Sequence, residues 1–234
     1  MGRVVAIAGF GQGDANVLYR YAVGLTGKEH ANVLYLGTAG SDAEANVASA
    51  TRRFESLGCG VRALCLITKT YTDAEIDEHL AWADMIFVGG GDTISMMRVW
   101  KEHGLDAKLK EVYRNDAAVL SGVSAGAICW FCCGHSDSES FHQEEGWHFC
   151  WAEGMLDLFH KVYCPHYNDA GRDTFDAMLE EKSDMVGVAL ENNVAFVENG
   201  EEQYYVRSQP NARAYELRYV SGALEKRELE IVDL

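Results

Sequence analysis

Residues 117–131 read AAVLSGVSAGAICWF. Ala117 to Leu120 is a short apolar run of strand type. It leads into the pattern G-x-S-x-G, formed by Gly122, Ser124 and Gly126. A strand running into that pattern is the setting of a nucleophile elbow, where the serine occupies a tight strand-to-helix turn. The flanking glycines admit a strained backbone and close neighbours. The Ser124 hydroxyl would project at the strand end, and the backbone NH of Ala125, in the first turn of the next helix, could stabilise an oxyanion. The same residues also suit a tightly packed small-residue bend, so the surrounding sequence has to decide between the two.

Working outward, the same punctuation recurs. Arg3 to Gly9 (RVVAIAG), Ala31 to Gly37 (ANVLYLG) and Val61 to Ile67 (VRALCLI) are short apolar runs with β-branched residues. Asp84 to Val88 (DMIFV) runs into Gly89-Gly90-Gly91. Runs of this kind bounded by glycine read as buried strands. Helical segments lie between them. Ser41 to Leu57 opens with SDAE and Thr72 to Trp82 with TDAE, both capping-box patterns. Asp92 to His103 and Leu105 to Arg114 also have helical spacing. Strands alternating with helices predict a doubly wound α/β fold with a mostly parallel sheet. After about residue 185 the rhythm changes to strands joined by short polar turns, with Asn199-Gly200 and Ser221-Gly222 as hairpin signals. That predicts a C-terminal antiparallel β extension. Only two prolines, no low-complexity tract and no clear repeat assign residues 1–234 to one domain.

The formal net charge of −16 argues against nucleic acid and anionic membranes as partners. An acidic substrate would need a local basic group to overcome that field. No stretch approaches a membrane span, and Val4 to Ala8 is too short for a signal-peptide core. Seven irregularly spaced cysteines in a chain of 234 residues suit reduced thiols and a cytoplasmic protein. Apolar residues on the C-terminal strands could serve a homodimer as well as a core.

Ligands of open α/β sheets sit at the carboxyl ends of the strands. Two glycine-marked ends stand out, Gly89–Gly91 and the turn at Ser124. The first exposes bare backbone NH groups just before a helix and could supply a second oxyanion donor. Gly9-Phe10-Gly11-Gln12-Gly13 has the spacing GxGxG rather than a dinucleotide fingerprint and reads as a tight turn. A serine nucleophile needs a base. Of eight histidines, His166 ends the run Tyr163-Cys164-Pro165-His166-Tyr167, again a strand end. The base needs an acid to orient it. Glu191 follows the strand Val186 to Leu190 directly, and Asp137 is the rival. His135, His142 and His148, with Glu144 and Glu145, fit no helix face or standard zinc spacing, so no metal is assigned. Cys129, Cys132 and Cys133 are expected on one side of the helix after Ser124, as buried thiols.

VGGGDT at 88–93, GVSAGA at 122–127, CPHY at 164–167 and ALEN at 189–192 together resemble the dipeptidase E and cyanophycinase family of serine peptidases. Their order covers about residues 84 to 197, and the chain length suits the dipeptidase E branch. The resemblance implies a fold like that of class I glutamine amidotransferases, of flavodoxin-like type, with serine in place of their cysteine. It implies a single peptidase domain, with Ser124 as nucleophile, His166 as general base and Glu191, or else Asp137, as the orienting acid. Gly90 or Gly91 with Ala125 would form the oxyanion hole, and no cofactor would be needed. Dipeptidase E enzymes cleave short peptides after an N-terminal aspartate, and Arg172 resembles a family arginine that could meet such a substrate. Asp92 departs from the asparagine usual in the family and brings a charge to the oxyanion turn. The resemblance leaves two other readings to compare with a dipeptidase: a cyanophycinase-like hydrolase of β-Asp-Arg polymer, and a non-catalytic small-molecule-binding protein of the same fold.

Overall fold

The computed structural model describes residues 2–142 and 146–234. Through the first half of the chain, strands and helices alternate: β1 (Arg3–Ile7), α1 (Asn16–Gly24), β2 (Asn32–Leu36), α2 (Glu44–Ser56), β3 (Gly60–Leu64), α3 (Asp73–Trp82), β4 (Met85–Val88), α4 (Thr93–Glu102), α5 (Leu105–Arg114) and β5 (Val119–Val123). A single helical turn follows, α6 (Ala125–Ile128). Then come β6 (Phe131–Ser136), β7 (Cys150–Glu153), β8 (Phe159–Cys164), α7 (Thr174–Met178), β9 (Gly187–Leu190), β10 (Val194–Asn199), β11 (Glu202–Arg207), β12 (Ala214–Val220), β13 (Ala223–Glu228) and β14 (Val232–Asp233).

The strands form two sheets. The first has the order β14-β11-β10-β1-β5-β4-β2-β3. Its β1-β5-β4-β2-β3 portion is parallel, while β10 and β11 add antiparallel beside β1. Alternate residues feed the two faces, as the period of two requires. Val4, Ala6, Ile86 and Leu120 enter one apolar cluster; Val5, Ile7, Phe87 and Val119 enter the other. Both faces are covered, which is why these strands read as continuous apolar runs.

The second sheet has the order β13-β12-β9-β8-β6-β7, with β9-β8-β6 parallel. The α/β architecture with mostly parallel central strands is the one expected. The C-terminal antiparallel segment, however, divides: β10 and β11 extend the first sheet, whereas β12 and β13 extend the second. The helix after Ser124 is also shorter than expected. It ends at Ile128 with Cys129 as its C-cap, and Cys132 and Cys133 lie on β6. A short apolar run such as ICWFCC suits a buried helix or a buried strand equally well.

Of the two capping boxes, Thr72 forms one, with its hydroxyl accepting from the Glu75 NH and the Glu75 carboxylate accepting from the Thr72 NH. Ser41 does not. Ser41 and Asp42 take left-handed φ values of 56° and 53°, and Asp42 turns inward to accept from the Ile67 NH at 2.6 Å. No described helix is long and apolar enough to cross a membrane.

Candidate active site

Ser124 stands between the end of β5 and the start of α6, with φ 56° and ψ −114°. A serine forced to positive φ costs on the order of 1–3 kcal/mol, and surrounding bonds must hold it there. Its NH donates to Ile7 O at 3.1 Å, while its carbonyl accepts from the NH groups of Ala127 and Ile128. The two glycines of the pattern are required by close approach. A Cβ on Gly122 would lie 2.2 Å from Gly126 O, and one on Gly126 would lie 2.2 Å from Val88 O. Ser121, the other serine of the stretch, donates its hydroxyl to Val5 O. Ser124 is half-buried, and its hydroxyl has no hydrogen-bond partner among the described residues.

β4 ends in the triple glycine beside this elbow. A Cβ on Gly90 would come within 3.4 Å of Ser124 Cβ, so the turn borders the serine. Asp92 NH donates to Ala39 O at 2.8 Å and fixes the turn from the far side. Among the described residues, the backbone NH groups of Gly90, Gly91 and Ala125 are bonded to no acceptor. The Asp92 carboxylate caps α4, accepting from Ser95 NH at 3.0 Å, and meets His142 Nε2 at 2.7 Å. Burial alone would raise its pKa. The hydrogen bonds from Ser95, His142 and Ser138 outweigh that and hold it below the usual carboxylate range. The charge that departs from the family pattern is thus spent on the helix cap and on His142.

His166 follows β8 and Pro165, also at positive φ (53°). Its Nδ1 is 2.7 Å from Asn192 Oδ1, while Asn192 Nδ2 donates to Asp169 Oδ1 at 2.7 Å. Because the amide nitrogen is spent on Asp169, the amide oxygen faces the ring and accepts from Nδ1–H. Nε2 is then the basic nitrogen. Asp169 Oδ2 lies 3.6 Å from Nδ1 and brings a negative charge behind the amide. Burial first, and then the Arg172 guanidinium, push the His166 pKa below its ordinary value, against the opposing pull of Asn192, Asp169 and Asp137. The imidazole is therefore neutral at neutral pH. Both His166 and Ser124 are referenced to the end of β1. Ser124 bonds Ile7, and Gly9 lies so close that a Cβ there would fall 2.2 Å from both His166 Cε1 and Asn192 Oδ1. Ser124 and His166 are not hydrogen-bonded to one another; such contacts commonly tighten only when substrate is bound.

A model described as peptidase family S51 matches residues 6–205, which include Ser124, the triple glycine, His166 and Asn192. The chain belongs to peptidase family S51. An uncharacterized peptidase, YgaJ, of Bacillus subtilis (strain 168) is 28% identical over 221 residues, covering 92% of this chain and 91% of that protein. A peptidase from an acI-B1 Actinobacterium has a similar fold, with a TM-score of 0.70 at 15% identity over 98% of this chain and 97% of that one. So does a provisionally named peptidase E protein from Listeria monocytogenes EGD-e, with a TM-score of 0.64 at 21% identity over 89% and 100%. The protein is accordingly a peptidase with the α/β fold seen in these structures.

Within this S51 chain, the side chain bonded to His166 Nδ1 is Asn192, while Glu191 and Asp137 have other partners. Glu191 Oε2 accepts from the Arg213 NH at 2.9 Å, and the Glu191 NH donates to Arg213 O. Glu191 thereby continues the pairing with the segment leading into β12, and the next residue, Asn192, faces the histidine. The chain turns directly after Glu191, with Val194 NH donating to Glu191 O and Asn193 at φ 70°, and the turn carries Asn192 to the histidine. Asp137, the rival acid, lies 3.3 Å from Arg172 Nη2 and contributes only its field to His166.

Arg172, expected to meet substrate, is 4% exposed and already engaged. Besides Asp137, it donates to His135 O at 2.8 Å and lies over the Phe149 ring at 4.6 Å. It lines a cavity of about 380 Å³ with Asp137, Trp147, Phe149, His166, Asp169 and Ala170. Burial and the adjoining Arg172 push His135 down to about 3, which keeps that ring neutral inside the cluster.

The remaining histidine candidates are dispersed. His135 bonds Thr174 and His142 bonds Asp92, while Glu144 and Glu145 lie outside the described residues. Gly11 in the GxGxG turn donates to Asn193 Oδ1, which makes it a structural turn holding the segment beside Asn192. Asn192 and Asp169 were missed in the sequence. The only signal for Asn192 was its place in ALEN, one residue beyond the favoured acid.

Proposed function

We propose that this S51 peptidase is a serine-type exopeptidase that hydrolyses short peptides with an acidic N-terminal residue. Ser124 Oγ attacks the scissile carbonyl and passes its proton to His166 Nε2. Asn192, with Asp169 behind it, keeps the proton of the other ring nitrogen on Nδ1, the task an asparagine performs in cysteine peptidases of papain type. The NH groups of Gly90 or Gly91 and of Ala125 take up the oxyanion. Collapse expels the amine, which receives the proton from His166, and water then hydrolyses the acyl-enzyme by the same route. The observation that carries this reading is Ser124 itself. It is the half-buried hydroxyl of a strained turn, unspent on any described partner and bordered by unspent backbone NH groups. A packing role would explain neither the strain nor the free hydroxyl. Asp92, whose charge would have suited a non-catalytic protein, has a structural role instead.

The test is labelling with a fluorophosphonate together with hydrolysis of Asp-Leu. Wild type should label and turn over. Ser124→Ala should neither label nor turn over, and His166→Ala should lose roughly 10⁴-fold or more in kcat. Labelling that persists in Ser124→Ala would reject the assignment.

A further inference from the structure

Cys132 of β6, Asp157 of the β7–β8 connection and His160 of β8 converge on one spot of the second sheet. The Cys132 Sγ, a carboxylate oxygen of Asp157 and a ring nitrogen of His160 all lie within 4.8 Å of one another, the one such trio among the described residues. We propose that these three side chains bind a zinc ion that staples β6 to β8. The site is separate from the hydrolytic one and does not depend on the peptidase reading. His160 opens β8 and His166 lies beyond its other end, roughly 20 Å away at the rise of an extended strand.

The first argument is how the backbone brings the three together. β6 and β8 pair in parallel, with Phe131 opposite Phe159 and Cys133 opposite Val162. Cys132 therefore faces two residues, His160 and Lys161. Such a bulge bends its strand and re-aims a side chain. The connection carrying Asp157 is fixed to the residues just before Cys132. Leu156 NH donates to Cys129 O at 2.9 Å, Asp157 NH to Phe131 O at 2.9 Å and Leu158 NH to Trp130 O at 2.8 Å. All three ligands are thus referenced to the start of β6 by main-chain bonds.

The second argument is geometric. His160 Nδ1 stands 3.2 Å from Asp157 Oδ1. Nitrogen and oxygen ligands at about 2.0–2.1 Å from a tetrahedral zinc ion are about 3.3 Å apart, so this edge is already at its bound length. The sulfur edges close by rotation of the His160 and Asp157 side chains, which are 80% and 45% exposed. An exposed ion pair of this kind contributes little stability by itself.

The third argument is the donor set. Thiolate, imidazole and carboxylate together suit zinc, whereas magnesium and calcium take oxygen ligands alone. Carboxylate and thiolate bring two negative charges, which a dication balances, in a chain of net charge −16. The Cys133 Sγ lies 3.6 Å from that of Cys132 and serves as an outer partner of the bound sulfur. Water takes the fourth position. Binding forms a zinc–sulfur bond and releases the Cys132 S–H proton, now directed at Lys161 O at 3.0 Å, to solvent. His160 stays neutral, with its proton on the nitrogen that does not bind.

The experiment titrates the full chain with Zn²⁺ by calorimetry, and with Co²⁺ while recording the thiolate-to-cobalt charge-transfer band. Wild type should bind one zinc per chain and show the band. Cys132→Ser should lose the band, and Cys150→Ser, which changes another half-buried thiol, should keep it. His160→Ala and Asp157→Asn should each weaken zinc by at least the roughly 10–100-fold that loss of an outer-shell partner costs. The His160 side chain is exposed and asparagine tolerates the φ of 52° at Asp157, so both variants should fold. Zinc should raise the Tm of wild type and leave that of His160→Ala nearly unmoved. Absence of zinc binding in wild type, a band that survives Cys132→Ser or disappears in Cys150→Ser, or an affinity unchanged in His160→Ala would each overturn the proposal.

Discussion

On one side of Ser124 stand groups placed by the backbone. Gly89 NH bonds Leu36 O at 3.0 Å, Asp92 NH bonds Ala39 O at 2.8 Å and Ser124 NH bonds Ile7 O at 3.1 Å. Each lies within a few residues of the end of a central parallel strand. On the other side stand groups placed by side chains. Asn192 holds His166, Asp169 holds Asn192, and Arg172 ties Asp137 to β6. These come from the second sheet and its connections. Backbone placement tolerates changes in neighbouring side chains, because the hydrogen-bonding atoms are common to all residues. Side-chain placement can be undone one substitution at a time, and the histidine flank is where single changes should be most informative.

The largest effect is expected from separating Asn192 from Glu191. Asn192→Ala removes the acceptor that fixes the His166 tautomer and should lower kcat by roughly 10²–10³-fold, within the range of general acid–base contributions. Glu191→Ala removes a bond to the Arg213 NH on the exposed side and should leave kcat within a few-fold. Steady-state kinetics on Asp-Leu would read both. The reverse ranking would restore Glu191 as the orienting group and break the comparison.

A smaller loss is expected where the two flanks meet. Gly9→Ala adds a Cβ that cannot coexist with the present positions of His166 Cε1 and Asn192 Oδ1, both 2.2 Å away. The side chains are more mobile than β1, so the ring should shift. A misplacement of about 1 Å in a catalytic group can cost about 10²-fold, and a loss of roughly 10- to 100-fold in kcat is expected with little change in KM. A variant with unaltered kcat would show that the ring tolerates displacement.

The same division explains what could be read in the sequence. The first sheet was legible because both its faces are buried, which leaves apolar runs such as VVAIA and MIFV ended by glycine. Ser124 and Gly90 were found at such ends, and His166 at the end of β8 in the second sheet. In the second sheet β6 was not legible, because ICWFCC carries no period that separates strand from helix, and the Ala125–Ile128 turn is too short to declare itself. Glu191 and Asn192 could not be ranked either. Which of the two faces His166 is decided by pairing with Arg213, more than twenty residues later, and a local pattern does not encode that register. Asp92 looked like a charge at the oxyanion turn until Ser95 and His142 were seen to occupy it.

The smallest expected effect is a displacement in pH, and it tests whether the field at His166 is the balance of charges described. The base must be unprotonated, so kcat/KM is retained above the His166 pKa of the free enzyme and lost as pH falls through it. Burial and Arg172 hold that pKa below the ordinary value of 6.5. The acid limb of wild type should therefore lie below 6.5. Arg172→Gln removes a cation that disfavours the imidazolium, so the pKa rises and activity is lost at higher pH. Asp137→Asn removes a carboxylate that favours it, so the pKa falls and activity extends to lower pH. Asp169→Asn should act in the same direction as Asp137→Asn. Each shift should be about one pH unit or less, because these charges act across a partly hydrated cavity. The double variant Arg172→Gln/Asp137→Asn should return the limb toward wild type, since the two fields oppose one another at the ring. Because the position of the limb does not depend on how much protein is folded, a destabilised variant still gives a usable answer. Shifts of the same sign from Arg172→Gln and Asp137→Asn would show that the two substitutions act by moving the ring rather than by changing the field around it.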